Sequence, residues 1–474
     1  MTHVVLLPLD DRPVNTGQVA DLADAAGVRL TLPPPGMLGA RGAASDPAAV
    51  GAWLERAARD ADAVVVSLNQ LVHGGYVPSR RTTESIADWL PRLEVLKRLP
   101  RSVPTAAFAV LTRTKNQDDA GTEPPYWAEH GRGFFRFSKA LYGAEHGFPA
   151  DVAGARAALP AADVHDWLHR RLAHHQLHLA GIELAAEGVL DLLAVVAEDT
   201  TVDSVSTGER EWLQTWTDRF DLGGKVLLYP GADEVGAVLF GRALTAGRDL
   251  TAAVVCEVPG GLDAVAVFED VPVRETVSGQ LRAAGLRETA DVATADLVVA
   301  VHPPAEAMGD RYSDREIPAS TARRGAAEHL AERVSGLVRA GRRVVVADVA
   351  DANGSDPELV AALRSRIRLD ALAGYAGWNT AGNSIGSAVA QGCAALTGGP
   401  GSTRKVLAHR FLEDLGYQSG VRYAVIDGGD PAGLADRLAD FPEFADIYRV
   451  RPGSVRLPWG RPFEVDFTLE DIPR

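Results

Sequence analysis

Two cysteines in 474 residues, Cys256 and Cys393, exclude a disulfide scaffold, and neither has the CxxC or Cys/His spacing of a zinc site. Each reads as a small apolar residue, Cys256 in a strand and Cys393 in a helix. Positive charge is also scarce. Lys+Arg 48 against Asp+Glu 63 leaves a formal net charge of −15. Nucleic acid and anionic membranes recruit basic patches, so neither is expected as the main partner. No run approaches the ~20 apolar residues that span a bilayer. The chain enters its first strand without a basic and then apolar leader, so no export signal and a cytoplasmic location are expected. A P-loop, the dinucleotide fingerprint GxGxxG and a convincing serine triad are missing as well. No nucleotide cofactor is expected, which leaves a divalent metal as the one cofactor still open.

What is present is an ordinary globular composition, 46% hydrophobic and 23% charged, long enough for two or three units. Apolar runs alternate with helical periodicity. The runs are Val4–Leu9, Val28–Leu32, Ala63–Leu68, Thr105–Leu111, Leu190–Ala197, Lys225–Tyr229, Ala252–Val258, Asp296–Val301, Arg343–Val349 and Ala371–Tyr375. Helices are expected over Pro47–Arg59, Thr83–Arg98, Ala161–Glu187, Glu209–Arg219, Val235–Ala246, Val273–Ala284, Ala322–Ala340, Pro357–Ile367 and Ser384–Leu396. Strand alternating with helix predicts an α/β protein with mostly parallel sheets flanked by helices. Turn-rich seams at Thr245–Asp249 and Thr397–Ser402 suggest an α/β unit over 1–245, barrel-like or Rossmann-like, and a second over 246–400. A small region over 401–474 would then pack back through Trp459 and Phe463. The aromatic stretch Pro124–Phe148 fits either a lid loop or a helical insertion.

In α/β folds ligands bind beyond the carboxyl ends of the strands, and the residues there are unusually polar. The first strand runs into Leu7-Pro8-Leu9-Asp10-Asp11-Arg12-Pro13-Val14-Asn15. Later ones end in Asn69, Gln70 and His73; in Arg113, Lys115, Asn116 and Gln117; in Glu198 and Asp199; and in Asp233 and Glu234. Strand neighbours point to opposite faces, so one member each of Asp10/Asp11, Glu198/Asp199 and Asp233/Glu234 should reach a common pocket. Crowded carboxylates push one another's pKa values apart, which makes an acid and a base from one residue type. That suits glycoside hydrolysis, and it also suits a divalent cation. Arg12, Arg113 and Lys115 are placed to hold an anionic substrate group, unless they neutralise the carboxylates. His73 is a candidate base or metal ligand, against a purely structural role.

Farther on, Asp348, Asp351 and Asn353 end another strand, and Asp356-Pro357 opens the next helix. The turn Gly377-Trp378-Asn379-Thr380-Ala381-Gly382-Asn383 runs into a helix whose exposed N–H groups would form an anion site. Trp378 would stack on a sugar face, with Asn379 and Asn383 on its hydroxyls. On the helix over 166–187, Leu168, Leu172, Leu179 and Ile182 form the expected core face, with His169, His174, His175 and His178 on a solvated flank.

The stretches Leu7–Pro13 and Ala376–Asn383 together resemble an uncharacterised bacterial family known only as domain of unknown function 4127. The resemblance extends over most of the chain and implies one integrated architecture, without an activity. The residues themselves suggest a hydrolase acting on a carbohydrate or another polyhydroxylated small molecule. A metal-dependent hydrolase or isomerase on the same carboxylates is the first alternative, and a non-catalytic two-lobed ligand-binding protein the second. The oligomeric state is left open.

Overall fold

The computed structural model describes residues 2–304, 308–318 and 320–473. Its first sheet contains β1 (His3–Leu7), β2 (Arg29–Thr31), β3 (Ala63–Ser67), β4 (Thr105–Leu111), β5 (Leu192–Ala197) and β6 (Val226–Pro230). They pair in the order β2-β1-β3-β4-β5-β6, all parallel. The second sheet contains β7 (Thr251–Val255), β8 (Arg287–Glu288), β9 (Leu297–His302), β10 (Val344–Asp348) and β11 (Gly374–Ala376), in the order β11-β10-β9-β7-β8 and again parallel. Both are open doubly wound sheets. The barrel-like alternative is therefore set aside, because β2 and β6 end the first sheet as separate edges. A short antiparallel pair, β12 (Tyr448–Val450) and β13 (Leu469–Asp471), closes the chain.

The strands were visible as unbroken Val/Ala/Leu runs because both faces of each sheet are covered. Val4 and Leu6 point to one core, while Val5 and Leu7 point to another, following the two-residue period of a strand. The inner core is shared by the two sheets. Between them lie α1 (Gly17–Ala26), α5 (Val235–Thr245), α6 (Val273–Ala283) and α7 (Ala381–Gly398). Outside the first sheet lie α2 (Trp127–Glu145), α3 (Ala161–Ala186) and α4 (Val205–Arg219). Leu6, Phe108 and Val196 of the first sheet and Val299, Val345 and Ala347 of the second meet Leu22, Val238, Leu281 and Val389 of this middle layer.

Helix α7 is buried on nearly every side, and its small residues are what allow that. A Cβ on Gly386 would stand 2.3 Å from Cγ of Glu234, and one on Gly392 would stand 2.6 Å from Leu297. The outer core of the second sheet joins Val298 and Val346 to Phe411, Phe444, Val465 and Phe467 of the C-terminal region.

One local alternative is decided and two local expectations change. The stretch 124–148 is a helical insertion: α2 packs Trp127, Phe134 and Phe137 against Trp167 of α3. The helix over Thr83–Arg98 is broken into Ile86–Trp89, a tight turn over Leu90–Leu93 and Glu94–Arg98, because Pro91 interrupts the ladder. On α3 the buried face is rotated, so that Leu168 and Leu172 are exposed and His174 and His178 are buried. Those histidines face backbone carbonyls beside the end of β4. Nε2 of His174 meets Ser79 O at 2.6 Å, and Nε2 of His178 meets Val110 O at 3.3 Å. A buried carbonyl without a partner is costly, so a polar residue wins that face over leucine.

Candidate functional site

In each sheet the first strand pairs with the second, and the chain then crosses to the other side. This puts switch points between β1 and β3 and between β7 and β9. The Asp10–Arg12 loop leaves β1 at the first of them. Oδ1 of Asp10 accepts from Arg12 N at 3.0 Å and from Asn15 Nδ2 at 2.9 Å, and its Oδ2 accepts from Arg12 Nε and Nη2 at 2.9 and 2.8 Å. The same guanidinium donates to both oxygens of Asp233 at the end of β6, from Nη1 at 3.1 Å and from Nη2. Glu464, arriving from the C-terminal region, stands 3.8 Å from Nη1 and accepts from Arg461 Nη2 at 3.1 Å.

Three buried carboxyls therefore face two guanidiniums, and protonation has to balance the excess. Burial pushes Glu464 up to about 7 against Arg12 and Arg461, and burial with the Asp10 charge raises Asp233 despite Arg12. Arg12 is itself held charged: burial opposes the charge, but Asp10, Asp233 and Glu464 outweigh it.

A second network occupies the ends of β4 and β5. Arg80 donates to both oxygens of Glu198 and, at 3.1 Å, to Glu123. Arg113 bonds Asp199, lies 3.5 Å from Glu198 and donates to Glu123 at 3.3 Å. Burial raises the Glu198 carboxyl, but Arg80 and Arg113 overcome it and hold the group down at about 2. Burial and the Glu198 charge raise Asp199 despite Arg113. Tyr76 lies between the networks, its ring 4.1 Å from the Arg80 guanidinium, within the fields of both Glu198 and Asp233. Its buried hydroxyl has no hydrogen-bond partner among the described residues.

The turn after β11 closes the rim. Asn379 Nδ2 donates to Asp233 at 3.3 Å, Asn383 Oδ1 accepts from Asp233 N at 3.0 Å, and Asn379 O accepts from Asn353 N at 2.8 Å. Both sheets thus meet at this turn. Asp199, Asn353 and Asn379 all take positive φ (40°, 60° and 67°), a conformation that Asn and Asp tolerate and most residues resist. Trp459 (φ 55°) lies between Arg12 and Arg461 at 4.8 Å from each and donates from Nε1 to Asp11 at 2.8 Å. A cavity of about 190 Å³ opens beside the rim, lined by Pro13, Gly17, Gln18, Lys405, His409 and Asp466 among others. Asp10 and Asp233 do not line it.

Of the residues expected at the site, Asp10, Arg12, Asp233, Asn379 and Asn383 meet in the first network, and Arg113, Glu198 and Asp199 in the second. Asp10/Asp11 and Asp233/Glu234 each contribute one member, although both pairs lie in the turns beyond their strands. Asp11 is exposed, and Glu234 turns into the helix layer, accepting from Ala232 N at 2.9 Å and Gln280 at 2.6 Å. Glu198 and Asp199 both join, because the positive φ of Asp199 turns it back.

The structure does not bring the others to the rim. Asn69 holds Val110 N of β4 at 2.9 Å, and Gln70 holds Ser45 at 2.6 Å. His73 is packed near Trp89 and His174, with its pKa pushed well below the ordinary value by burial and then by His174 and Arg92. Lys115 pairs with Asp119 near the surface. Trp378 is buried edge-on to Phe463 at 6.0 Å, so it cannot stack on a sugar. The expected anion site at the start of α7 is filled from within, since Gly382 N donates to Glu269 at 2.8 Å. Asp356 does cap the helix after it, accepting from Glu358 N at 3.0 Å. Residues that sequence reasoning missed are Tyr76, Arg80, Glu123, Arg461 and Glu464, and Trp459, expected to pack back, does so at the site itself. The Arg80-Arg81 pair just after Gly74-Gly75 was a usable signal for one of them. Among the described residues no three His, Cys, Asp or Glu side chains group as metal ligands.

A model of the protein family of unknown function DUF4127 matches residues 4–468. The chain belongs to DUF4127. Nearly the whole DUF4127 chain is covered, including both networks and the strap over Leu457–Glu464 that carries Trp459. No curated protein matches it. No helix among the described residues is long and apolar enough to cross a membrane.

Proposed function

We propose that this protein is a hydrolase acting on a polyhydroxylated small molecule, with glycosidase-type acid/base chemistry at the rim shared by the two sheets. One feature carries the reading: the rim holds one carboxyl fixed as a carboxylate and another that exchanges its proton near neutral pH. Glu198 is held near 2 by its arginines, while Glu464 is raised to about 7. A carboxyl that titrates near the working pH is suited to protonating a leaving oxygen, and a fixed carboxylate is suited to facing the positive charge that develops on a sugar ring. Asn379 and Arg113 are the polar groups for hydroxyls. Since Asp10, Arg12, Asp233 and Glu464 are nearly inaccessible, substrate enters by displacement of the strap over Leu457–Glu464.

The test is a panel of aryl glycosides of varied stereochemistry, with and without divalent metal. Turnover that falls at least about 10²-fold in Glu464→Gln, the loss expected for a general acid, supports the reading. No turnover on any member of the panel overturns it.

A further inference from the structure

Seven arginines are buried, and six of them, Arg12, Arg80, Arg171, Arg311, Arg323 and Arg410, lie within 3.2 Å of a carboxylate. The seventh, Arg422, is 0% exposed and has no ion pair among the described residues. Its guanidinium donates to two neutral oxygens, from Nη1 to Gln418 Oε1 and from Nη2 to Asn353 O at 2.8 Å, and its Nε has no partner among the described residues. Asp310 acts on it only across Asn353, whose Nδ2 donates to Asp310 at 2.8 Å. Burial therefore pulls Arg422 below the ordinary arginine value, against Tyr423, Tyr417 and Asp310. At Arg12, Arg80 and Arg410 the neighbouring carboxylates outweigh the same burial and raise it. A buried charge without a counter-charge is among the costliest groups a fold can hold.

The backbone that presents Arg422 is unusual as well. Between the helices over Arg404–Arg410 and Arg422–Ile426 the chain winds as a π-helix, Phe411–Val421, which ends with Arg422 N donating to Tyr417 O, five residues back. Such helices are rare, seldom exceed one turn and are frequent at functional sites. This one faces the rim. Asp414 accepts from Gly377 N at 2.8 Å, and Asn353, which holds Arg422, donates from its own N to Asn379 O at 2.8 Å. Gln418 Nε2 donates to Phe463 O at 3.2 Å and Tyr417 Oη to Pro462 O at 3.0 Å. One amide side chain, Gln418, thus holds both Arg422 and the strap. Tyr312, 38% exposed, lies against Arg422 at 5.3 Å and against Phe463 at 5.6 Å, so the cover over this charge is thin.

We propose that Arg422 binds the anionic group, a carboxylate or a phosphate, of the molecule that occupies the rim, so that the substrate is an acidic sugar or a similar polyhydroxylated acid. The inference deepens the hydrolase reading and rests on it for the place of the sugar, but not for the anion. Displacing the strap breaks the Gln418–Phe463 bond and lets Gln418 swing off Nη1. The free Nε and the released Nη1 then serve charge-assisted hydrogen bonds to the incoming anion. Asn379, two hydrogen bonds away through Asn353, is left facing the hydroxyls.

Titration calorimetry on the full-length protein at constant ionic strength tests the inference, with D-glucuronate, D-galacturonate and D-glucose 6-phosphate set against D-glucose and D-galactose. At least one acid should bind about 10-fold or more tightly than its neutral counterpart, the worth of one hydrogen bond to a charged group. A uronate that wins assigns a carboxylate and the sugar phosphate assigns a phosphate; both support the proposal. In Arg422→Met the preference should vanish, and without sugar the thermal midpoint should not fall, because an unpaired charge has left the core. Arg422→Lys keeps the charge and decides the matter if Arg422→Met does not fold: the preference should weaken severalfold but persist. No acid bound more tightly than its neutral counterpart, a preference unaltered in either variant, or a lowered midpoint in Arg422→Met, the mark of a counter-charge within the chain, would each overturn the proposal. Acids held through Arg422 without turnover of aryl glycosides would leave this inference standing and remove the hydrolase; turnover without an acid preference would do the reverse.

Discussion

Replacing Glu464 by glutamine should make the protein more stable and less active, with the gain confined to one pH range. The Glu464 carboxyl rises from 4.5 to about 7 on folding, because burial outweighs Arg12 and Arg461. At 1.36 kcal/mol per unit this amounts to about 3 kcal/mol. A carboxyl raised on folding binds its proton more tightly in the native state. The stability it lends is therefore whole below about 4.5 and is lost as the pH climbs through 7. Glutamine has the shape of the protonated acid and keeps an oxygen for Arg461, so it behaves as a side chain that never loses its proton. Urea unfolding of both proteins across this range is the assay. Near pH 4.5 the two curves should coincide, and above pH 8 the Glu464→Gln variant should unfold later by about 3 kcal/mol. Glu234, Glu269 and Asp414 are also raised by burial and tilt both curves alike, so the difference between the curves reports on Glu464. A difference that does not change with pH, or a variant less stable above pH 8, would refute the charge balance drawn for the Arg12 cluster.

Three further perturbations probe the surrounding structure. Arg80→Met leaves Glu198 and Glu123 buried without their main counter-charge and should cost about 3–5 kcal/mol in urea unfolding; adding Glu198→Gln should recover part of the loss. Gly386→Val drives side-chain atoms into Glu234 and Gln280, where even the first added carbon stands 2.3 and 2.6 Å away, and should cost about 3 kcal/mol or abolish soluble expression. His73→Phe replaces a buried neutral ring whose two nitrogens have no hydrogen-bond partner among the described residues, Glu84 standing 3.9 Å from Nδ1. It should shift the unfolding free energy by less than about 1 kcal/mol and leave the pH dependence of any turnover unaltered, whereas loss of one limb of that profile would show that His73 is the missing base.

Most of the architecture was readable before any coordinates, and the reason is physical. Parallel strands covered on both faces need an uninterrupted apolar run, so Ala63–Ser67 or Val344–Asp348 can hardly be anything else. The rim was readable for a related reason, since charges directly after such a run must lie where the sheet ends. What resisted reading depended on the partner. Asp10 and Asp11 are chemically alike, and only the arrival of Trp459 from 448 residues away makes one of them a surface acceptor. Glu464 and Arg461 lie in a strap without periodicity, so no local pattern singles them out. On α3, a leucine count favours Leu168 and Leu172 for the core, but the demand of Ser79 O and Val110 O for donors rotates the helix toward His174 and His178.

The convergence of both sheets on the turn at 377–383 explains why the rim is built from single residues of many elements. Asp233 lies at the end of the first sheet, yet its amide is held by Asn383 and its carboxylate touched by Asn379, both following the last strand of the second. Arg12 leaves β1 and is covered by Trp459 and Glu464 from the C-terminal strap. Neither sheet alone holds a complete set of partners for these charges, and an unpaired buried charge costs more than a good pair returns. The inner core that runs through α1, α5, α6 and α7 is therefore more than filler. It locks two doubly wound sheets in the one register at which three carboxyls and two guanidiniums can share their charge.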